Sequence, residues 1–129
     1  MMKHPEFELQ KEVCKYLNLQ YPNVLYLSDT IASVKLTPQQ CVRNSLIQKQ
    51  FFKCPDLLIL EPNKYGYSGL FIELKIKSPF KKNGEVFQND HLKGQEKTIL
   101  ELNQKGYCAT FCTGFEEAKN VIDNYLRGV

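Results

Sequence analysis

Three residues in two neighbouring stretches fit one chemistry. Pro55-Asp56 opens the apolar run Leu57 to Leu60, and Glu73 and Lys75 lie within the alternating segment Leu70 to Ile76. That alternation puts Leu70, Ile72, Leu74 and Ile76 on one face and Phe71, Glu73 and Lys75 on the other. Between the stretches, Pro62, Asn63, Gly66 and Gly69 are turn residues, so two adjacent strands are predicted. Carboxylates and an ammonium gathered in one place make a poor core, because each ion loses hydration worth roughly several kcal/mol. A hard divalent cation reverses that balance. Mg²⁺ typically takes one or two carboxylates together with waters and phosphate oxygens. Asp56 and Glu73 supply the anionic oxygens, and Lys75 beside them would orient or help deprotonate a water. The chemistry is metal-assisted hydrolysis of a phosphodiester. Alone, Glu-x-Lys is most often a solvated strand face and Pro-Asp a turn pair. The two in this order, each on its own strand, are far more specific.

The rest of the chain must position these groups. Its 129 residues, 43% hydrophobic and 24% charged, suit one globular domain spanning 1–129. A net charge of +3 permits nucleic-acid binding without establishing it. Cys14, Cys41, Cys54, Cys108 and Cys112 are odd in number and lack zinc-ligand spacing. Reduced, mostly buried thiols are expected, with Cys14 and Cys41 on helices and Cys108 and Cys112 on one strand face. No apolar run is long enough to span a membrane and no secretory segment is visible. The expectation is a cytoplasmic protein of a bacterium or a phage-infected host cell.

Pro5 opens a predicted helix over Glu6 to Leu19, with Leu9, Val13, Tyr16 and Leu17 as its apolar stripe. Glu6 and Gln10 line up with Val13 and Leu17, whereas Glu8 points away. Val24 to Leu27 reads as a short strand, and Ser28 to Leu36 as a loop. Thr37-Pro38-Gln39-Gln40 is a capping box opening a helix to about Gln50, with Val42, Leu46 and Ile47 inward. Asn89 or Asp90 caps the next helix, which ends before Gly106. His91 or Leu92, then Gln95, Ile99 and Leu102 form its inner stripe. Tyr107 to Cys112 is a strand, and Ala118, Val121, Ile122, Tyr125 and Leu126 mark a final core helix. The order helix, strand, helix, strand, strand, helix, strand, helix predicts an α/β fold: a mixed four-stranded sheet flanked by helices.

Basic residues cluster around these elements. Lys77, Lys81 and Lys82 occupy a turn-rich loop directly after the Glu-x-Lys strand, suited to gripping a phosphate backbone. Lys35, Arg43, Lys49 and Lys53 precede Pro-Asp and are either phosphate contacts or a solvated surface. His91 and Gln95, one helical turn apart, are a polar pair in line with an apolar stripe and would face a cleft.

Pro55-Asp56 followed by Glu73-Leu74-Lys75 resembles the PD-(D/E)xK nuclease signature, and more narrowly its VRR-NUC branch of small stand-alone viral and bacterial proteins. The resemblance runs from Glu6 to Tyr125, including Glu-x-x-Leu-Gln in the first helix and His-x-x-x-Gln after the Glu-x-Lys strand. It implies a restriction-endonuclease-like fold with an αβββαβ core, and a Mg²⁺-dependent DNA endonuclease in which Mn²⁺ may substitute. Asp56, Glu73 and the Leu74 carbonyl would bind the metal. Glu6 would complete the site as a third or water-mediated ligand, with Glu8 as the alternative. Lys75 would act on the water and Gln95 would position it; His91 would bind phosphate or simply cap its helix. Cys54 stands where close members have glycine, which puts the fine geometry of backbone approach in question. The resemblance also implies homodimers acting on branched DNA such as four-way junctions. Other readings are a non-catalytic nucleic-acid-binding module on the same fold, or a nuclease cutting RNA or linear duplex DNA.

Overall fold

The structure is a computed structural model that describes residues 4–28 and 35–127. Its elements are α1 (Pro5–Gln20), β1 (Tyr26–Ser28), α2 (Pro38–Ile47), β2 (Leu57–Ile59), β3 (Leu70–Lys75), α3 (Asp90–Gln104), β4 (Cys108–Thr113) and α4 (Gly114–Arg127). The sheet order is β1-β2-β3-β4. β2 runs antiparallel to both β1 and β3, and β3 runs parallel to β4 across the α3 connection. This is the mixed, helix-flanked α/β sheet that the element order predicts.

β3 is buried from Leu70 through Leu74, because both its faces are covered. On one face, Leu70, Ile72 and Leu74 pack with Leu9, Val13 and Leu17 of α1 and with Ala118, Ile122 and Tyr125 of α4. On the other, Phe71 packs with Val86, with Ile99 and Leu102 of α3, and with Ala109 and Phe111 of β4. Cys108 and Cys112 do share a face, the α1/α4 one.

Local sequence explains the helix ends. The Asn89 side chain accepts the N–H groups of His91 and Leu92 and so caps α3. At the other end Gly106 takes φ +97°, open only to glycine at low cost, and Tyr107 N–H returns to the Leu102 carbonyl. At Gly114 (φ +78°) β4 passes directly into α4.

Two expectations need correction. The Thr37/Gln40 capping box forms and α2 exists, but it buries nothing and ends at Ile47 rather than near Gln50. Val42, Leu46 and Ile47 are 60%, 79% and 80% exposed instead of inward. A helical period defines a stripe; only a free surface can cover it, and α1, α4 and α3 already occupy both faces of the sheet. Of the cysteines only Cys112 is fully buried, and Cys41 is exposed because it rides on α2. The basic loop after β3 is turn-rich and mostly exposed, as its sequence suggests, and it is also pinned as a hairpin. Phe80 bridges Val86, Lys81 N–H donates to the Glu85 carbonyl, and Pro79 and Val86 are buried. Most of the segment read as the Ser28 to Leu36 loop, residues 29–34, lies outside the described residues.

Candidate functional site

Strand register brings the acidic pair together. Leu57 of β2 lies opposite Ile72 of β3, so one further step places Asp56 opposite Glu73. Leu58 and Phe71, two residues from each, belong to the α3-facing cluster, so Asp56, Glu73 and Lys75 project toward α3. The sequence-predicted alternation holds from Leu70 to Lys75; Ile76, expected on the Leu70 face, lies past the end of β3 and is exposed. Asp56 is half-buried, and its Oδ2 accepts the Leu74 N–H at 2.8 Å. This bond ties the carboxylate to the end of β3, beyond the last β2–β3 pair. Glu73 is 5% exposed, a degree of burial that an acid rarely shows without a compensating environment.

Lys75 is half-buried, with its Nζ 5.9 Å from the centre of the Phe111 ring. Phe111 lies opposite Glu73 across the β3–β4 ladder and meets Phe80 edge-on at 5.7 Å. The aromatic wall attracts the ammonium and excludes water from one side of it. Phe111 was invisible as a site residue in the sequence, since an apolar residue in a strand carries no signal of its own.

α3 supplies the roof. Gln95 and Thr98 are buried polar side chains on its inner face. Gln95 Oε1 is buried with no hydrogen-bond partner among the described residues. Such an oxygen is costly unless a water or ligand meets it. The inner stripe of α3 uses Leu92, not His91; His91 is exposed, and its backbone N–H serves the Asn89 cap.

Two positioning contacts join distant segments. Thr98 Oγ1 accepts the Lys53 N–H at 3.1 Å, anchoring to α3 the segment that leads into Pro55-Asp56. A Cβ at Gly94 would lie 3.2 Å from Lys53 Cε, so the missing side chain makes room for the lysine stem along the helix. Gln10 of α1 donates through Nε2 to the Asp56 carbonyl at 3.4 Å and to Ser28 Oγ. Its only signal in the sequence was a polar residue in line with Val13 and Leu17.

Beside the acidic pair lies an open cleft of about 870 Å³, bordered by His4, Glu6, Phe7, Lys75, Lys77 and Leu92 among others. Glu6 is thus near Lys75, but it is exposed, and among the described residues no three His, Cys, Asp or Glu side chains gather as a metal cage. Glu8 is exposed and paired with Lys11 at 3.2 Å. What remains is a carboxylate pair opposed across two strands, the Leu74 peptide beside it, and, on α3, an amide oxygen with no partner among the described residues. That oxygen-only set fits a hard cation that keeps several of its waters. Lys77 and Lys82 are exposed and Lys81 is half-buried in the hairpin. Lys35 is exposed, and Arg43 borders a separate shallow depression with Pro38, Gln39 and Val42.

No family model matches the chain, and no curated protein does. A solved structure of a VRR_NUC domain protein superposes on it with a TM-score of 0.59 and 21% identity, covering 98% of this chain and 92% of that one. The two share a fold over essentially their whole lengths. Among the described residues no helix is long and apolar enough to cross a membrane.

Proposed function

We propose that this chain is a VRR-NUC-type nuclease, a divalent-metal-dependent endonuclease that hydrolyses phosphodiester bonds in DNA. The observation that carries the reading is the strand register that sets Asp56 opposite Glu73, with Lys75 two residues on along the same face of β3. Asp56, Glu73 and the Leu74 carbonyl would hold Mg²⁺ or Mn²⁺, with Glu6 reaching it through water. When bound, the metal supplies charge neutralisation at the phosphate and a more acidic water. The Lys75 ammonium orients the attacking water and stabilises the negative charge that builds on the phosphate oxygens. Gln95 Oε1 accepts a hydrogen bond from that water and, being buried, holds it in one orientation. The Asp56–Leu74 N–H bond keeps the carboxylate from turning away between catalytic cycles.

Lys53, Lys77, Lys81 and Lys82 surround this face and contact the phosphate backbone, with Lys35, Arg43 and His91 farther out. The substrate is branched DNA, with four-way junctions the leading form. The active species is a homodimer, whose two-fold axis brings two sites together for paired cuts. The uncovered apolar side chains of Val42, Leu46 and Ile47 on α2 support an interface between copies.

The test is cleavage of end-labelled four-way junction, linear duplex and RNA in Mg²⁺ by wild type, Lys75→Ala and Asp56→Asn. Wild type cuts the junction preferentially, and Lys75→Ala loses about 10²- to 10⁴-fold in rate. Undiminished cleavage by both variants overturns the assignment.

A further inference from the structure

The cleft beside the acidic pair has a character that phosphate binding does not require. Phosphate contact needs donors and positive charge. Here the walls are instead mostly apolar: Phe7 from α1, Ile76 and Pro79 from the segment after β3, and Leu92 from α3. Phe7 is 47% exposed and Ile76 43%, so both present open apolar surface. The volume of about 870 Å³ lies within the range of small-molecule sites. Lys75 lines this cleft and lies two residues from Glu73 on the same face of β3, so the cleft adjoins the acidic pair. Lys77 lies on the same border, and Lys11 Nζ is 5.8 Å from the centre of the Phe7 ring. The cleft is therefore a largely apolar slot edged by Lys75 and Lys77, with the Glu6 carboxylate also on its border and Lys11 paired with Glu8.

A base inside a duplex has both faces covered by its neighbours and offers no surface to such a slot. An unpaired base offers a flat apolar face attached to a phosphate on either side. We infer that the cleft lined by Phe7, Ile76, Pro79 and Leu92 is a nucleobase subsite, which takes one unpaired nucleotide adjacent to the phosphodiester being cut. Phe7 is the stacking platform, and Lys75 and Lys77 hold the flanking phosphates. This rests on the nuclease reading and refines its substrate: the enzyme selects a nucleotide left unpaired at a branch point, and a four-way junction, whose bases are all paired, fills the subsite only by opening a pair at the crossover.

The test is binding, measured with Asp56→Asn in Mg²⁺ by fluorescence anisotropy against three DNAs. One is a fully paired duplex, one carries a single unpaired nucleotide, and one has that nucleotide replaced by an abasic residue. Stacking on one aromatic side chain predicts that the unpaired base tightens binding by about 10- to 100-fold and that the abasic residue abolishes the gain. Adding Phe7→Ala should remove the same factor from the unpaired-base DNA and leave the other two unchanged. Because the chain has no tryptophan, Phe7→Trp adds a unique emitter that should be quenched by the unpaired-base DNA only. Equal affinity for the abasic and base-containing DNAs, or an equal loss on all three with Phe7→Ala, overturns the subsite. Cleavage plays no part in these titrations, so loss of the subsite leaves the nuclease assignment standing, and undiminished cleavage by the Lys75 and Asp56 variants does not alter the base preference.

Discussion

On the α1/α4 side of the sheet, Ile72 and Leu74 of β3 meet Val13, Leu17 and Ile122 in an apolar layer. The polar groups at its edge are closely matched. Tyr16 and Tyr21 each donate to Asp123 Oδ1 at 2.6 Å, and Lys119 reaches Oδ2 at 3.3 Å. Burial alone would raise the Asp123 pKa, but the hydrogen bonds from Tyr16, Tyr21 and Lys119 outweigh it and hold the carboxyl below its ordinary range. On the α3 side the same strand presents Glu73, buried, and on α3 the buried Gln95 keeps an oxygen without a partner among the described residues. A buried polar atom left unmatched costs about 1–3 kcal/mol. One face of β3 thus stabilises the fold, and the other uses some of that stability to hold groups poised for chemistry.

The largest expected effect tests the stabilising face. Ile122 is fully buried, so Ile122→Ala should cost about 2–5 kcal/mol in chemical denaturation. The turnover of the folded fraction should stay at the wild-type rate. A variant that stayed folded but lost activity would erase the distinction between the faces.

Next is the Tyr16–Asp123–Tyr21 cluster, which ties α1 to α4. Asp123→Ala should destabilise by about 2 kcal/mol at neutral pH, the scale of hydrogen bonds to a charged group. The folded-state pKa lies below the ordinary 3.8, so this contribution is fully present above that value and fades as pH falls through the lowered folded pKa. Urea titrations of wild type and variant should therefore converge in acid. A gap that widened below about pH 4 would contradict the assigned cause.

The smallest effect has the opposite sign. Gln95→Leu replaces an unmatched buried amide with an apolar side chain and should leave stability unchanged or raise it by about 1 kcal/mol. Cleavage should fall at the same time. A clear loss of stability would mean that Gln95 is a structural residue, and would sharpen the comparison against the account.

The element order, the sheet and the shared face of Asp56, Glu73 and Lys75 were legible because each rests on local information: period, turn residues and the alternation of a strand. The cap at Asn89 and the break at Gly106 were legible for the same reason. What was not legible depends on contacts between distant segments. The stripe on α2 has the right period, but nothing among the described residues covers it. Phe111 walls the site only because β4 pairs in parallel with β3, and Thr98 matters only through the Lys53 backbone. The choice between His91 and Leu92 turns on about one residue's rotation of α3, finer than a periodic pattern determines.

The central claim is that the carboxylates of Asp56 and Glu73 meet around a cation. Anomalous diffraction from crystals soaked in Mn²⁺ tests it most directly. A peak is expected within coordination distance of both carboxylates and the Leu74 carbonyl, absent from Asp56→Asn crystals. A cleavage-competent protein whose Mn²⁺ bound elsewhere, with that position empty, would contradict it.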